Sequence, residues 1–248
     1  MKPTCINAVE ILRQGHQGYS IQPFIVRADD GGTYFVKGFS KAGGPALISE
    51  VIGAELGAQL GLPIPPWALM HIPEDLISFS PIANVQDLRG GPAFASRAVE
   101  MASDFSLSNV NRTPIDLRRR LFLFDWWIRN EDRNLGPLGG NVNLLLDADG
   151  ALNVIDHNLA FDGSFSSETF MNGHVFRDCR PYFRDYVVRQ EHEQILNDAL
   201  NNWGTIIDLL PLDWLYRDAD HIDETEPTIA DRLQMLEGFR EERFWGAL

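Results

Sequence analysis

Apolar and polar residues change period several times along this chain, and the changes predict its elements. Between residues 20 and 39 the alternation has a period of two, interrupted by Asp29-Asp30-Gly31-Gly32. That pattern predicts two strands, 20–27 and 33–39, joined by a tight turn. In the second strand Lys37 falls on one face with Phe35 and Phe39. From Pro45 the spacing becomes helical, with Ile48, Ile52, Leu56 and Leu60 on one stripe and Gly61 and Pro63 marking the end. "WALMHI" (67–72) reads as a strand, and "GPAFASRAVEM" (91–101) as a short strand or a linker.

The texture then turns helical. Thr113 as cap and Pro114 in the first turn predict a helix over "TPIDLRRRLFLFDWWIRN" (113–130). A hairpin follows, "VNLLLD" and "ALNVIDH" joined at Asp147-Ala148-Asp149-Gly150, and two further helical stretches cover 182–203 and 228–247. The expected fold class is α+β with two lobes: residues 1–100 rich in strands with one helix, residues 101–248 mainly helical.

Composition narrows the function. A chain of 248 residues, 44% hydrophobic and 23% charged, can bury a sizeable core as one large domain or two lobes sharing a cleft. Two distant cysteines, Cys5 and Cys179, offer no disulfide framework and no cysteine zinc site, which fits a reducing interior. No signal-peptide pattern opens the chain, and the greasiest run, 121–128, is too short to span a bilayer, so a cytoplasmic location is expected. With 35 acidic and 21 basic side chains the net charge is −14, which repels nucleic acid and anionic lipid. The Arg118-Arg119-Arg120 run reads as a solvated helix face. An anion held through a divalent cation in a cleft remains compatible with this field.

Several motifs are absent: no G-x-x-x-x-G-K-[ST] loop, no H-E-x-x-H helix and no G-x-S-x-G elbow occur. "DADGALNVIDHN" does not fit a calcium loop, because its Gly is fourth and its twelfth residue is Asn158; Asp147 and Asp149 read as turn residues. What remains is a set of dispersed polar residues: Lys37 in a strand, Glu50 and Glu55 in the next helix, Asp132 behind a greasy helix, Asn141 and Asn143 before a hairpin, and Asp156 at its end. A hairpin brings its two ends together, so an asparagine amide oxygen and Asp156 can share one Mg2+. Asp132 would stand beside them as a base or aligning group, and Lys37 would supply a point charge for phosphate. These are the parts of phosphoryl transfer by positioning and charge neutralisation.

The stretch "VKGFS…SEVIGAELGAQLGLPIPP…NEDRN…NVNLLLDADGALNVIDHNLAF" resembles the HipA-like kinase family, related to the type II phosphatidylinositol 4-kinases, over roughly residues 10–165. The resemblance implies a protein kinase-like two-lobed fold and an ATP- and Mg2+-dependent kinase, with Ser or Thr of a protein as acceptor. It implies that Lys37 binds the ATP phosphates, Glu50 pairs with Lys37, Asp132 faces the acceptor hydroxyl, and Asn143 and Asp156 hold the metal. It further implies a phosphate cover from "GHQGYS", with Gly15, Gly18 and Ser20, and it allows an inhibitory partner protein.

Two pairs of alternatives stay open: Glu55 falls inside the apolar stripe of its helix and competes with Glu50, and Asn141 competes with Asn143. Ten residues separate Asp132 from Asn143, against four in the ordinary kinase loop. Arg133 reads as ordering that loop, His157 as a core neighbour of an oxygen-rich metal site, and Trp126 and Trp127 as core. A lipid or small-molecule kinase, or a kinase-like binding module without catalysis, are the competing readings.

Overall fold

A computed structural model of the chain describes residues 5–15, 21–136 and 139–248. Five strands close into a barrel: β1 (Cys5–Gln14), β2 (Phe24–Ala28), β3 (Thr33–Lys37), β4 (Trp67–Ile72) and β5 (Gly91–Arg97), in spatial order β1-β2-β3-β5-β4. Neighbours are antiparallel except at the closure, where β1 and β4 pair in parallel through Cys5–Leu69, Ile6–Met70 and Asn7–His71. Alternate residues fill the interior: Ile6, Phe24, Val26, Tyr34, Val36, Met70, Ala93 and Ala95 are all buried there. The small alanines suit a narrow barrel, whose inner wall cannot hold a large side chain at every position. The opposite face of β3 carries Phe35 and Lys37 outward to a cleft.

Two expectations need correction here. The first predicted strand is shorter at its start, since β2 begins at Phe24, and Phe39 leaves the strand face to open a helix. Residues 91–97 are a strand. β1 was not anticipated, because register shifts between Ala8 and Glu10 and between Ile11 and Arg13 break its alternation. A bulge re-aims the side chains after it, so the inward series runs Ile6, Ala8, Ile11 rather than every second residue.

Helix α1 (Phe39–Gln59) bends at Gly43, whose φ of 74° only glycine adopts freely, and its main body starts at Pro45 as its sequence predicts. It is buried on nearly every side rather than on one stripe, with Leu47, Ile48, Glu50, Val51, Ile52, Ala54 and Leu56 all inside. The main core joins it to α4 (Ile115–Trp127) through Phe122, Phe124 and Trp127, and to Phe161, Phe170 and Phe176 beyond. Arg232, fully buried, fixes the start of α1 from the far end of the chain. Its guanidinium donates to Ser49 Oγ at 2.8 Å and to the carbonyls of Pro45 and Pro227 at 3.1 Å, and lies over the Phe161 ring. Burial pulls its pKa down to about 10.

Shorter elements complete the chain: α2 (Glu74–Ser78), β6 (Ser103–Asp104), α3 (Leu107–Val110), β7 (Leu144–Leu146), β8 (Leu152–Val154), α5 (Ser167–Gly173), α6 (Tyr186–Leu200), α7 (Trp203–Ile207), α8 (Ile229–Glu237) and α9 (Glu242–Gly246). β6, β7 and β8 form an antiparallel sheet in that order. The two predicted tail helices are each interrupted. Asp185 caps α6 by accepting from the Val187 and Val188 amides, and Gly238 ends α8.

Thr113 does not cap α4: its hydroxyl donates back to the Asn109 carbonyl, and extended Pro114 precedes the first turn. Nor are the three arginines a free solvated face. Arg118 pairs with Asp178 at 3.0 Å, Arg119 stacks on Tyr182, and Arg120 donates to the Gly61 carbonyl. Among the described residues no helix is long and apolar enough to cross a membrane.

One glycine in α1 is set by packing alone. A Cβ on Gly53 would lie 2.5 Å from the His157 Cβ, which the backbone holds in place. Helix propensity favours alanine by about 0.8–1 kcal/mol, whereas overpacking costs about 1–3 kcal/mol. Gly53→Ala is therefore expected to destabilise by about 1 kcal/mol, read as a lower urea midpoint with unchanged slope.

Candidate active site

Lys37 is buried, although it ends a strand on the cleft side, and two carboxylates from distant parts of the chain reach it. Its ammonium donates to Glu50 Oε1 of α1 at 2.5 Å and to Asp156 Oδ1, just past β8, at 2.6 Å. Glu50 is satisfied on its other oxygen by the His157 amide at 2.9 Å. Burial alone would lower the lysine pKa, but the charges of Asp156 and Glu50 outweigh it and raise it. Burial would likewise raise the Glu50 pKa, and the Lys37 charge with the His157 side chain holds it well below the usual carboxylate range. The pair's contribution from Glu50 is thus complete above the unfolded value of 4.5 and drains away as pH falls below it. Glu55, the competing carboxylate, is engaged elsewhere: it accepts from Trp67 Nε1 at 2.9 Å.

Asp132 lies on the segment that follows α4, and the two candidate asparagines converge on it. Asn141 Nδ2 donates to Asp132 Oδ2 at 2.6 Å and Asn143 Nδ2 donates to the same oxygen at 3.0 Å. Asp132 Oδ1 accepts no hydrogen bond from the described residues. Partial burial raises the Asp132 pKa; the two amides oppose this, and Asp156 adds to it. In the hairpin, Leu144 pairs with Val154 and the Ile155 amide donates to the Asn143 carbonyl at 3.1 Å. This register sets Asn143 opposite Ile155, the residue before Asp156. Asn143 and Asp156 both have left-handed backbone, φ 47° and 61°.

Lys37, Glu50, Asn141, Asn143 and Asp156 line one cavity of about 940 Å3, together with Phe35, Trp67, Phe94 and Val154. Gly15 is on its rim and its amide donates to the Pro23 carbonyl. Gly18 and Ser20 lie outside the described residues. Arg133 does not reach the cavity. It is fully buried behind the loop, in a cluster with Asp125 and His174 that was not anticipated. A lone aspartate in "LFLFDWWIR" was the available signal, because a carboxylate in so apolar a run needs a buried partner.

Sequence comparison matches residues 8–248 to the HipA-like kinase family. The chain belongs to that family. Its membership supports a kinase-type phosphotransferase, and a solved structure shares the fold. The Helicobacter pylori proinflammatory kinase CtkA aligns over 96% of this chain and 94% of its own, at 15% identity and a TM-score of 0.51. The FAT and kinase domain of CtTel1 also aligns, at 16% identity over 90% of this chain and 20% of its own, but a TM-score of 0.28 is too low to bear on the fold. No curated protein matches the chain. The mixed strand and helix content agrees with the α+β class.

A HipA-like kinase implies a divalent cation beside its nucleotide, and the residues present fit one. Asp156 Oδ2 and the Asn143 side-chain oxygen accept no hydrogen bond from the described residues, and both residues line the cavity. Among the described residues no three His, Cys, Asp or Glu side chains converge as a cage. Mg2+ needs none, since it is commonly held by one or two carboxylates with phosphate oxygens and water.

The buried ion pair makes a prediction about stability. Lys37→Met leaves Glu50 buried without its cation and should cost about 3–5 kcal/mol. Adding Glu50→Gln, which still accepts from the His157 amide, should recover most of that loss in a denaturant titration.

Proposed function

We propose that this protein is an ATP- and Mg2+-dependent kinase that phosphorylates Ser or Thr hydroxyls of a protein, with the cavity as the nucleotide site. On this reading residues 1–100 form a nucleotide-binding lobe, and residues 101–248 carry the catalytic loop and the metal-binding hairpin. The observation that carries the proposal is the convergence of Lys37, Glu50 and Asp156 on one ion-paired centre beside Asn143 and Asp132. Structural ion networks are common. A lysine held by two carboxylates on an open cavity, with a carboxylate of raised pKa nearby, has a division of labour that suits phosphoryl transfer.

Each residue then has a physical task. Lys37 neutralises charge on the ATP phosphates, and Glu50 holds the ammonium in place from below. Asp156 and Asn143 would hold Mg2+, which supplies charge neutralisation at the β- and γ-phosphates when bound. Asp132 Oδ1 aligns the acceptor hydroxyl and takes its proton. The hydroxyl oxygen forms the new bond to the γ-phosphorus while the bond to the β–γ bridging oxygen breaks, and ADP leaves with that electron pair. Asn141 and Asn143 fix the Asp132 side chain through Oδ2, so that Oδ1 is the atom presented. Asn143 is taken as the metal ligand of the two, because its carbonyl is bonded to the amide of Ile155, the neighbour of Asp156 in the chain. Gly15, with Gly18 and Ser20, would cover the phosphates. An inhibitory partner protein is compatible with this reading, and the acidic net charge disfavours nucleic acid and membrane as partners.

Asp132→Ala and Asp156→Ala are each expected to lower phosphotransfer by about 10²–10⁴-fold while leaving the circular dichroism spectrum unchanged. In the wild type the acid limb of the rate profile should lie above the ordinary aspartate value, following the raised pKa of Asp132. Radiolabel transfer from ATP to a protein mixture reads both. Retention of full transfer by both variants, or ATP binding without transfer to any acceptor, would remove the assignment.

A further inference from the structure

Behind the cavity lies a second polar cluster, whose side chains are buried. Asp125 of α4 accepts from Asn130 Nδ2 at 2.9 Å on Oδ1, and from Arg133 Nε at 2.8 Å and His174 Nε2 at 3.0 Å on Oδ2. The Phe176 amide donates to His174 Nδ1 at 3.0 Å, which leaves Nε2 to carry the proton and fixes the ring as a neutral donor. Burial lowers the His174 pKa in the same direction, against the Asp125 charge. The other end of Arg133 faces the hairpin. Its Nη1 lies 2.6 Å from the Asn143 carbonyl, 3.1 Å from that of Val142 and 3.4 Å from that of Ile155.

Those carbonyls belong to the two backbones that carry Asn143 and Asp156, and both of these residues are left-handed. Asparagine and aspartate tolerate that region better than other side chains, but they stay there only when their surroundings hold them. One guanidinium spanning the two strand ends supplies such a hold. The fork shape matters: Nε is committed to Asp125 while Nη1 reaches the carbonyls, and a lysine ammonium cannot occupy both positions. A buried ion pair is in itself weak support for stability, so its use here points to specification of geometry.

We propose that Arg133, oriented by Asp125 and His174, is a positioning residue that sets the spacing between Asn143 and Asp156 and thereby the affinity of the site for its divalent cation. This rests on the metal-binding reading above. Groups that orient ligands from behind typically change metal affinity by about 10–100-fold when removed. The test is calorimetric binding of a non-hydrolysable ATP analogue, with Mg2+ and with EDTA, to the wild type, Arg133→Lys and His174→Gln. Arg133→Lys should keep the metal-free affinity and lose about 10-fold or more of the Mg2+-dependent gain, with His174→Gln losing a smaller part. A purely structural role would instead lower the melting temperature and both affinities together. An unchanged Mg2+ gain in folded Arg133→Lys overturns the proposal. If that variant does not fold, His174→Gln decides in the same way, and failure of both to fold assigns the cluster to stability and overturns it too. A wild type with no Mg2+ gain would instead remove the metal-binding reading itself.

Discussion

Everything at the candidate site is arranged around one ammonium. Lys37 joins β3, α1 and the end of the β7–β8 hairpin, which are separated by 13 and 119 residues of chain. Burying three charged groups is costly, and their attraction compensates only when the geometry is good and the spare oxygens are satisfied. Here the His157 amide satisfies Glu50, while Asp156 lines the cavity and its second oxygen accepts no hydrogen bond from the described residues. The centre is therefore balanced on the inside and unbalanced toward the cleft, where a ligand with its own charges can enter.

The surrounding fold explains how so exacting an arrangement is held. α1 cannot slide, because Gly53 packs against His157 on one side and Arg232 holds Ser49 and Pro45 on the other. The barrel fixes β3 through its interior residues Tyr34 and Val36, leaving Phe35 and Lys37 on the cavity side. On the far side, the Asp125–Arg133–His174 cluster ties α4 to the loop and the hairpin. The loop also pairs with the chain around His174, through the Leu135 amide to the Gly173 carbonyl and the Val175 amide to the Arg133 carbonyl. Most polar atoms of this cluster find partners, Asn130 Oδ1 and Arg133 Nη2 excepted among the described residues, so its geometry is specified rather than merely filled.

Much of this was legible in the residues. Lys37, Glu50, Asp132, the two asparagines and Asp156 stand out as polar groups in structured, apolar surroundings, and the hairpin predicts that its ends meet. Periodicity ranked Glu55 above Glu50, because it assumes a helix with one buried face; α1 is buried on nearly all sides, and both carboxylates find donors. β1 escaped notice because its bulges break the alternation that betrays a strand. Arg118 to Arg120 looked like a solvated run because sequence reports charge and not the carbonyls, rings and carboxylates that fold against it. The partnership of Asp125 with His174 spans 49 residues, and no local pattern carries a contact of that range.

The most direct measurement is a crystal structure with Mg2+ and a non-hydrolysable ATP analogue. Lys37 should keep Glu50 and exchange Asp156 for a phosphate oxygen, with Asp156 and Asn143 turned to the cation and Asp132 Oδ1 facing the γ-phosphate. A nucleotide bound elsewhere, or one bound in this cavity while Lys37 still pairs with Asp156, would contradict the role given to that centre.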